Sequence, residues 1–366
     1  MRFALVSDAW RPQVNGVART LAALHDGLTA AGHDVFPLTP ELFRTVPGPT
    51  DRQVRLAIAA RPRLTRLLEG VIPDVIHIAT EGPLGLAVRR YCRARRVPFT
   101  TSYHSRYPEY LRARWPIPMA VTYAWLRRFH RAAVRTFVSS ASLETQLAAR
   151  GFRHLHQWRR GVDLRTFHPR PPHPELASLP RPIMACVGRL AVEKNLDAFL
   201  ALSVPGTKLV IGDGPARAAL ESRYPRVRFA GYRFGGELAA LLSGADVLVF
   251  PSLTDTFGLV MVEALACGVP VAAFPVPGPL DVIEAGVTGI LHEDLARAIA
   301  GALRLERRAC VAAASAFSWH SATAQFLAGL APIPLPLRAR LAVSRSSAMI
   351  ARIAARRQAS GAGDAN

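Results

Sequence analysis

Short apolar runs alternate with longer amphipathic stretches along most of the chain, the pattern of parallel strands separated by helices. In the first half, Phe3–Ser7, Val35–Leu38, Asp74–Ile78, Pro98–Ser102 and Thr136–Ser140 read as strands. Helices are predicted from about Ala18 to Ala31, stopped by Gly32, from about Leu86 to Arg96, and over Pro118 to Phe137. The second half repeats the rhythm, with a strand ending at Gly188 and others at Leu209–Ile211, Val227–Gly231, Ala245–Phe250 and Gly289–Leu291. Between the halves, Pro171, Pro172, Pro174, Pro180 and Pro182 mark a linker. The expectation is an α/β chain of two Rossmann-like domains, with ligands at the carboxyl ends of the strands. Its first strand–loop–helix unit has no G-x-G-x-x-G, which disfavours a dinucleotide.

Candidate chemistry gathers at those strand ends. The Ala245–Phe250 run leads into Pro251-Ser252-Leu253-Thr254-Asp255-Thr256-Phe257-Gly258-Leu259-Val260-Met261-Val262-Glu263-Ala264, a polar turn entering a helix that ends at Gly268. Asp255 lies in the loop and Glu263 inside the helix, with seven residues between them. Loop amides at a helix start favour an anion, and Glu263 can accept two hydroxyl hydrogen bonds. Arg189 stands at the end of the strand closing at Gly188, and Lys194 at the next helix start, where two cations can neutralise a diphosphate leaving group. Only Lys194 and Lys208 are lysines among 46 basic residues, so Lys194 marks a local need for a compact, flexible charge.

These strings resemble the donor-sugar signature of retaining glycosyltransferases of family 4, whose GT-B fold faces two Rossmann-like domains across a nucleotide-sugar cleft. Gly188-Arg189-Leu190-Ala191-Val192-Glu193-Lys194-Asn195 matches the family's G-R-x-x-x-E-K-N motif, and Phe257-Gly258 with Glu263-Ala264 match its second string. The usual form has Glu at both ends of the seven-residue gap; here the first is the shorter Asp255. The resemblance implies Glu263 on the ribose hydroxyls, Arg189 and Lys194 on the diphosphate, and Asp255 on the sugar. Amides near Phe257, Gly258 and Leu259 would complete the phosphate cradle. In the first domain, Asn15-Gly16-Val17 resembles the glycine loop that lies against the donor phosphates and the acceptor, and it also fits an ordinary strand-to-helix turn. His104 resembles the histidine near the anomeric carbon. Glu81 and Arg106, on neighbouring loops, are expected on the acceptor side, with a structural role for Glu81 standing level. The domains expected are 1–170 for the acceptor, a linker at 171–181, 182–317 for the nucleotide sugar, a crossover helix at 318–330 and a basic tail at 331–366.

The expected activity is metal-independent, retaining transfer of a hexose to a lipid or glycan hydroxyl. Thr254-Asp255-Thr256-Phe257-Gly258 together with His104-Ser105-Arg106-Tyr107-Pro108-Glu109-Tyr110 resembles GDP-mannose-dependent α-mannosyltransferases and lipid-glycosylating relatives. A UDP-sugar-dependent glycolipid synthase of the glucosyl or glucuronosyl diacylglycerol type is the alternative within the class. No D-x-D pair is present, so neither a metal nor another cofactor is expected.

Charge adds a partner to this picture. The formal net charge is +20. Residues 1–170 carry 27 basic and 11 acidic groups, residues 171–330 carry 13 and 14, and the tail carries 6 and 1. A basic half of that size favours a polyanion, either nucleic acid or an anionic membrane face. No helix-turn-helix or interleaved aromatic and basic RNA motif supports nucleic acid, which stays as the alternative class together with a non-catalytic binding protein. Arg127, Arg131 and Arg135 at four-residue spacing, beside Arg128 and Trp125, and the cluster Arg89, Arg90, Arg93, Arg95 and Arg96, suggest docking on anionic lipid without spanning it. Cys92, Cys186, Cys267 and Cys310 are scattered, against a disulfide framework or zinc site, and fit a reducing cytoplasm. The stretch Met1–Asp8 is too short in apolar length for a signal peptide. The expected location is the cytoplasm, at the inner face of the cell membrane.

Overall fold

The computed structural model describes residues 1–13, 15–48, 55–58 and 61–341. The first half contributes β1 (Arg2–Val6), β2 (Asp34–Leu38), β3 (Arg44–Pro47), β4 (Arg55–Ile58), β5 (Val75–Ile78), β6 (Thr100–Ser102), β7 (Arg135–Val138) and β8 (Leu155–Gln157). The second contributes β9 (Ile183–Val187), β10 (Thr207–Ile211), β11 (Arg228–Gly231), β12 (Val247–Phe250), β13 (Val271–Ala273) and β14 (Gly289–Leu291). One sheet has the order β2-β1-β5-β6-β7-β8 and the other β11-β10-β9-β12-β13-β14, every pair parallel. An antiparallel pair, β3 with β4, stands apart. Both sheets are doubly wound, as expected for Rossmann-like domains.

Strand alternation explains why the central runs are continuously apolar. On β1, Ala4 and Val6 enter one core with Ile76 and Ile78, while Phe3 and Leu5 enter another with Val75 and Ala79. On β9, Ile183 and Ala185 face one core, Met184 and Cys186 the opposite one. With helices on both faces, every position of these two strands is buried except the half-buried end residues Arg2 and Val187.

The expected helix over Pro118 to Phe137 requires correction. It runs Met119–His130, a turn follows, and Arg135 already opens β7. The four-residue arginine spacing therefore continues through a helix end, and Arg135 shares no face with Arg127 and Arg131. Arg89 is also not a surface cation. It is buried, with Nε on the Phe129 carbonyl at 2.8 Å and Nη2 on that of Arg128 at 2.7 Å, so it caps the negative end of the Met119–His130 helix.

Two chain crossings join the halves. The outgoing crossing at Val162 donates its amide to Phe317 O of the returning one at 2.9 Å. The returning chain becomes the helix Trp319–Ala328, which lies on the first half. There Phe326 sits 4.9 Å from the rings of His77 and Trp158 and 5.0 Å from that of Phe137. The tail begins on the same domain, with Ile333 N donating to Asp74 O at 2.7 Å, Arg338 paired with Asp74, and residues 335–341 helical. The rest of the basic helix expected over Arg338 to Arg357 lies outside the described residues.

His77 links this packing to pH. Its ring nitrogens meet the hydroxyls of Thr100 (2.8 Å) and Ser102 (2.9 Å) inside the aromatic nest, and burial, then the nearby Arg160, pulls it from 6.5 down to about 3. The unfolded chain takes up this proton near pH 6.5, whereas the folded one does so only near pH 3. The native state therefore binds fewer protons in that window, and stability falls as pH drops through it. From pH 6.5 to about pH 4.5 this amounts to about 2 kcal/mol. Denaturant melts of a His77→Gln variant are expected to lose less stability than the parent over the same interval, by about that amount.

Candidate active site

The donor side is built from two loops at the carboxyl ends of β9 and β12. Just beyond β9, Gly188 takes a φ of +153°, and Arg189 follows at the strand's end. A 3₁₀ turn, Val192–Lys194, closes with Asn195 in the left-handed region, its amide Nδ2 donating to Pro251 O at 3.1 Å. Glu193 is buried, accepting from Arg189 on Oε1 and from Arg114 of the first domain on Oε2 at 2.8 Å. Lys194 Nζ holds both oxygens of Asp255, at 2.6 and 2.8 Å. Thr254 Oγ1 donates to Glu193 O at 3.1 Å. The two strings singled out in the sequence thus form one knitted surface.

Beyond Asp255 the loop turns into the helix Leu259–Ala266. Gly258 makes the turn at φ +83°, and a Cβ there would stand 2.7 Å from Met261 Cε and 2.9 Å from Phe250 Cζ, so only glycine fits. The Phe257 side chain is buried in the second core beside Phe317; what it offers a ligand is backbone. Leu259 opens the helix, and Glu263, one turn in, is buried against Arg19 of the first domain. Its Oε2 has no protein partner. A buried carboxylate oxygen in that position is an acceptor awaiting a hydroxyl.

The first domain meets this surface through Thr256. Its Oγ1 donates to His104 O at 2.9 Å, and its own carbonyl accepts from Ser139 Oγ at 2.7 Å. Ser142 N donates to Asp281 at 2.9 Å beside them. His104 therefore lies next to the Asp255 loop, buried, with Nε2 unpartnered. Gly16 begins the helix Gly16–Ala30, and a Cβ on it would meet nothing within 4 Å, so neither strain nor packing requires glycine here. The open helix start is room for a ligand.

Three residues expected on the acceptor side are committed elsewhere. The Asn15 side chain caps the Gly16–Ala30 helix, accepting from Ala18 N at 2.8 Å. Glu81 is buried with its carboxylate on His130 Nε2 at 3.1 Å, the contact expected of the structural alternative. Arg106 grips Glu109 through Nε (3.1 Å) and Nη2 (2.8 Å), and Tyr123 OH completes that carboxylate at 2.7 Å. Each is satisfied within the first domain, Asn15 by its own helix, Glu81 by buried His130 and Arg106 by half-buried Glu109. Conversely, Arg19, Arg114, Arg160, Glu193 and Thr256 take part in the site without having been singled out. Glu193 and Thr256 lie inside the quoted motifs, so position alone could have flagged them. Arg160 opens the Arg160-Gly161-Val162-Asp163 string, which resembles the family's entry to the linker, whereas nothing distinguished Arg19 and Arg114 in a chain so rich in arginine.

A cavity of about 310 Å³ runs between the domains beside Glu263, lined by Arg19, Ala22, Asp163, Leu259, Glu263 and Trp319. Two doubly wound domains with a cation-bearing cleft between their strand ends define a glycosyltransferase of the GT-B class. Residues 14–166 match the model described as Glycosyltransferase Family 4, and residues 181–305 match that described as Glycosyl transferases group 1. The chain belongs to glycosyltransferase family 4 and is a hexosyltransferase.

It is 34% identical over 320 residues to a GDP-mannose-dependent alpha-mannosyltransferase of Mycobacterium tuberculosis, covering 80% of this chain and 83% of that protein. A protein of the same name from Corynebacterium glutamicum is 30% identical over 80% of this chain and 76% of its own length. Among solved structures, sucrose-phosphate synthase from Thermosynechococcus elongatus shares the fold with a TM-score of 0.74 at 21% identity, covering 89% of this chain and 97% of that one. Anabaena HepE in complex with UDP and glucose does so at 0.65 and 17%, covering 89% and 98%.

Glu193→Gln keeps the shape of the buried side chain and removes the charge that two guanidinia share. It is expected to lower stability by about 1–3 kcal/mol in thermal or denaturant melts. Turnover should fall further than in a surface Glu→Gln control, because Arg189 loses its anchor.

Proposed function

We propose that the protein transfers mannose from GDP-mannose, with retention and without a divalent metal, to a hydroxyl presented at an anionic membrane face. The observation that carries the transfer chemistry is the convergence of Arg189, Lys194, Asp255 and Glu263 on one side of a cleft with His104 on the other. Glu263 Oε2 accepts from the ribose. The diphosphate approaches Arg189 and Lys194 and draws Lys194 from Asp255, whose oxygens then meet the sugar hydroxyls. As the glycosidic bond breaks, negative charge grows on the departing phosphate, and these cations stabilise it where a metal would otherwise be needed. The acceptor comes from the first domain and attacks on the face the phosphate leaves.

Mannose and GDP are favoured by the names and coverage of the mannosyltransferase relatives. A UDP-sugar donor is the second reading, supported by 33% identity over 68% of this chain to sulfoquinovosyl transferase SQD2 of Arabidopsis thaliana, 52% of whose length is matched. Calorimetric titration without divalent metal is expected to give tight binding of GDP over UDP, and chelator should leave turnover unchanged. Glu263→Gln should weaken that binding by about tenfold or more, the cost of a hydrogen bond to a charged group. Tighter UDP binding would move the donor assignment to the second reading.

The lipid side rests on a surface beside the cleft. Trp115, Pro116, Ile117, Pro118, Met119, Ala120 and Val121 are seven consecutive exposed apolar residues, with Trp125 exposed one turn on. Exposed Arg112 lies on the helix Tyr107–Arg114 that precedes them, exposed Arg127, Arg128 and Arg131 lie at the far end of the helix that Met119 opens, and Arg114, the residue before Trp115, holds Glu193 of the second domain. An apolar tip carried between two arginine-bearing helices suits a leaflet of anionic lipid. Among the described residues no helix is long and apolar enough to cross a membrane. Flotation with phosphatidylglycerol vesicles is expected at low salt and lost both at high salt and in a Trp115→Ala, Trp125→Ala double variant. Equal flotation of the double variant would move the docking surface away from this tip, and failure of the parent to float would argue for a soluble glycan acceptor instead.

A further inference from the structure

The first domain holds a buried cation that no acid balances. Arg160, just beyond β8, is 3% exposed. Its Nη1 donates to Trp158 O at 2.6 Å, its guanidinium lies 4.0 Å from the centre of the Trp158 ring, and its Nη2 approaches His104 Nδ1 at 3.3 Å. Among the described residues no carboxylate pairs with it. Burial lowers it only to about 9, so it stays charged at neutral pH. Burying such a charge costs several kcal/mol, and what faces it besides the Trp158 carbonyl and ring is His104.

What the charge does is visible at His104. A guanidinium has donors and no acceptor, so in this contact Nδ1 must accept. A neutral imidazole whose Nδ1 accepts carries its hydrogen on Nε2. Protonation would set an N–H against an N–H beside a buried cation. The ionisable groups around the ring are Arg160, His77 from β5 and His130 from the Met119–His130 helix, and none of them is an acid. Burial first, then Arg160, holds His104 well below the ordinary histidine range. The ring stands edge-on to Trp158, with centroids 5.8 Å apart, and the His104 carbonyl is held by Thr256 across the cleft. Its buried Nε2–H is the one group of the ring left without a partner.

We propose that Arg160 is a positioning residue that locks His104 as the neutral Nε2–H tautomer, so that His104 meets the donor sugar as a hydrogen-bond donor and not as a base. The acceptor's proton then goes to the phosphate oxygen released as the sugar–phosphate bond breaks and the new glycosidic bond forms. This use of the ring rests on the proposed hexosyl transfer, whereas its tautomer does not.

The test is nitrogen-15 NMR of histidine-labelled protein, with the His104 signals assigned by comparison with His104→Gln. In the parent, His104 is expected to remain neutral with the hydrogen on Nε2 from about pH 5.5 to about pH 8.5. In Arg160→Met, where burial still keeps the ring neutral, His104 should no longer hold its hydrogen on Nε2 alone, and kcat should fall about tenfold across that interval. Arg160→Lys, which restores a buried donor and its charge, should return the tautomer and most of the lost turnover. A parent His104 that carries its hydrogen on Nδ1, or that is protonated near neutral pH, would overturn the proposal whether or not any variant folds. So would an Arg160→Met protein whose tautomer matches the parent's. Absence of turnover in the parent with GDP-mannose would count against the donor assignment and leave the tautomer result standing.

Discussion

A single buried carboxylate sets the geometry of the cleft. Glu193 has both oxygens engaged, one by Arg189 of its own domain and one by Arg114 of the other. An unpaired carboxylate at that depth would cost several kcal/mol, so neither guanidinium can leave without a replacement. Through that constraint Arg189 is aimed before any ligand arrives, and the first domain is drawn toward the second. Lys194 is managed differently, lying across both oxygens of Asp255, which is less deeply buried. The cleft therefore holds one cation fixed and one exchangeable. A diphosphate can compete for the exchangeable one at little cost.

Charge in the first domain is used in the same economical way. The sequence shows a strongly basic half, yet its arginines divide into two populations. Arg89 and Arg160 are spent on carbonyls and ring faces in the interior, and Arg106 on an internal acid. Arg112, Arg127, Arg128 and Arg131 remain at the surface, on the two helices that an apolar tip joins. Net charge by region overstates the polyanion-binding face, and burial corrects it.

Much of this architecture was legible in the sequence because strand runs and the turns after them are local patterns. The β9 and β12 strings carried their chemistry in order, and the structure brings Lys194 and Asp255 within hydrogen-bond reach. What could not be read was direction. Glu81 and Arg106 sit on the expected loops, but His130 and Glu109 pull them inward, and those partners lie 49 and 3 residues away. Asn15 was legible as a polar residue before a helix, and its capping role follows from the same position. The arginine ladder through Arg135 failed because a four-residue repeat persists in sequence whether or not the helix does. Arg160 belongs to a string, Arg160-Gly161-Val162-Asp163, that resembles the family's entry to the linker, but nothing local marked its role, which comes from an imidazole 56 residues earlier.

The paired crossings at Val162 and Phe317 carry a mechanical implication. Two covalent connections between bodies would ordinarily allow twisting, sliding and splaying in combination. Here they are fastened to each other at one point, and a side chain on Gly161 would collide with the backbone at Ser318 and Trp319. Sliding is opposed by that contact and splaying by the shared hydrogen bond, which leaves rotation about the junction as the least hindered motion. Such a rotation displaces most the rim where Arg114 reaches Glu193 and least the wall beside Trp319.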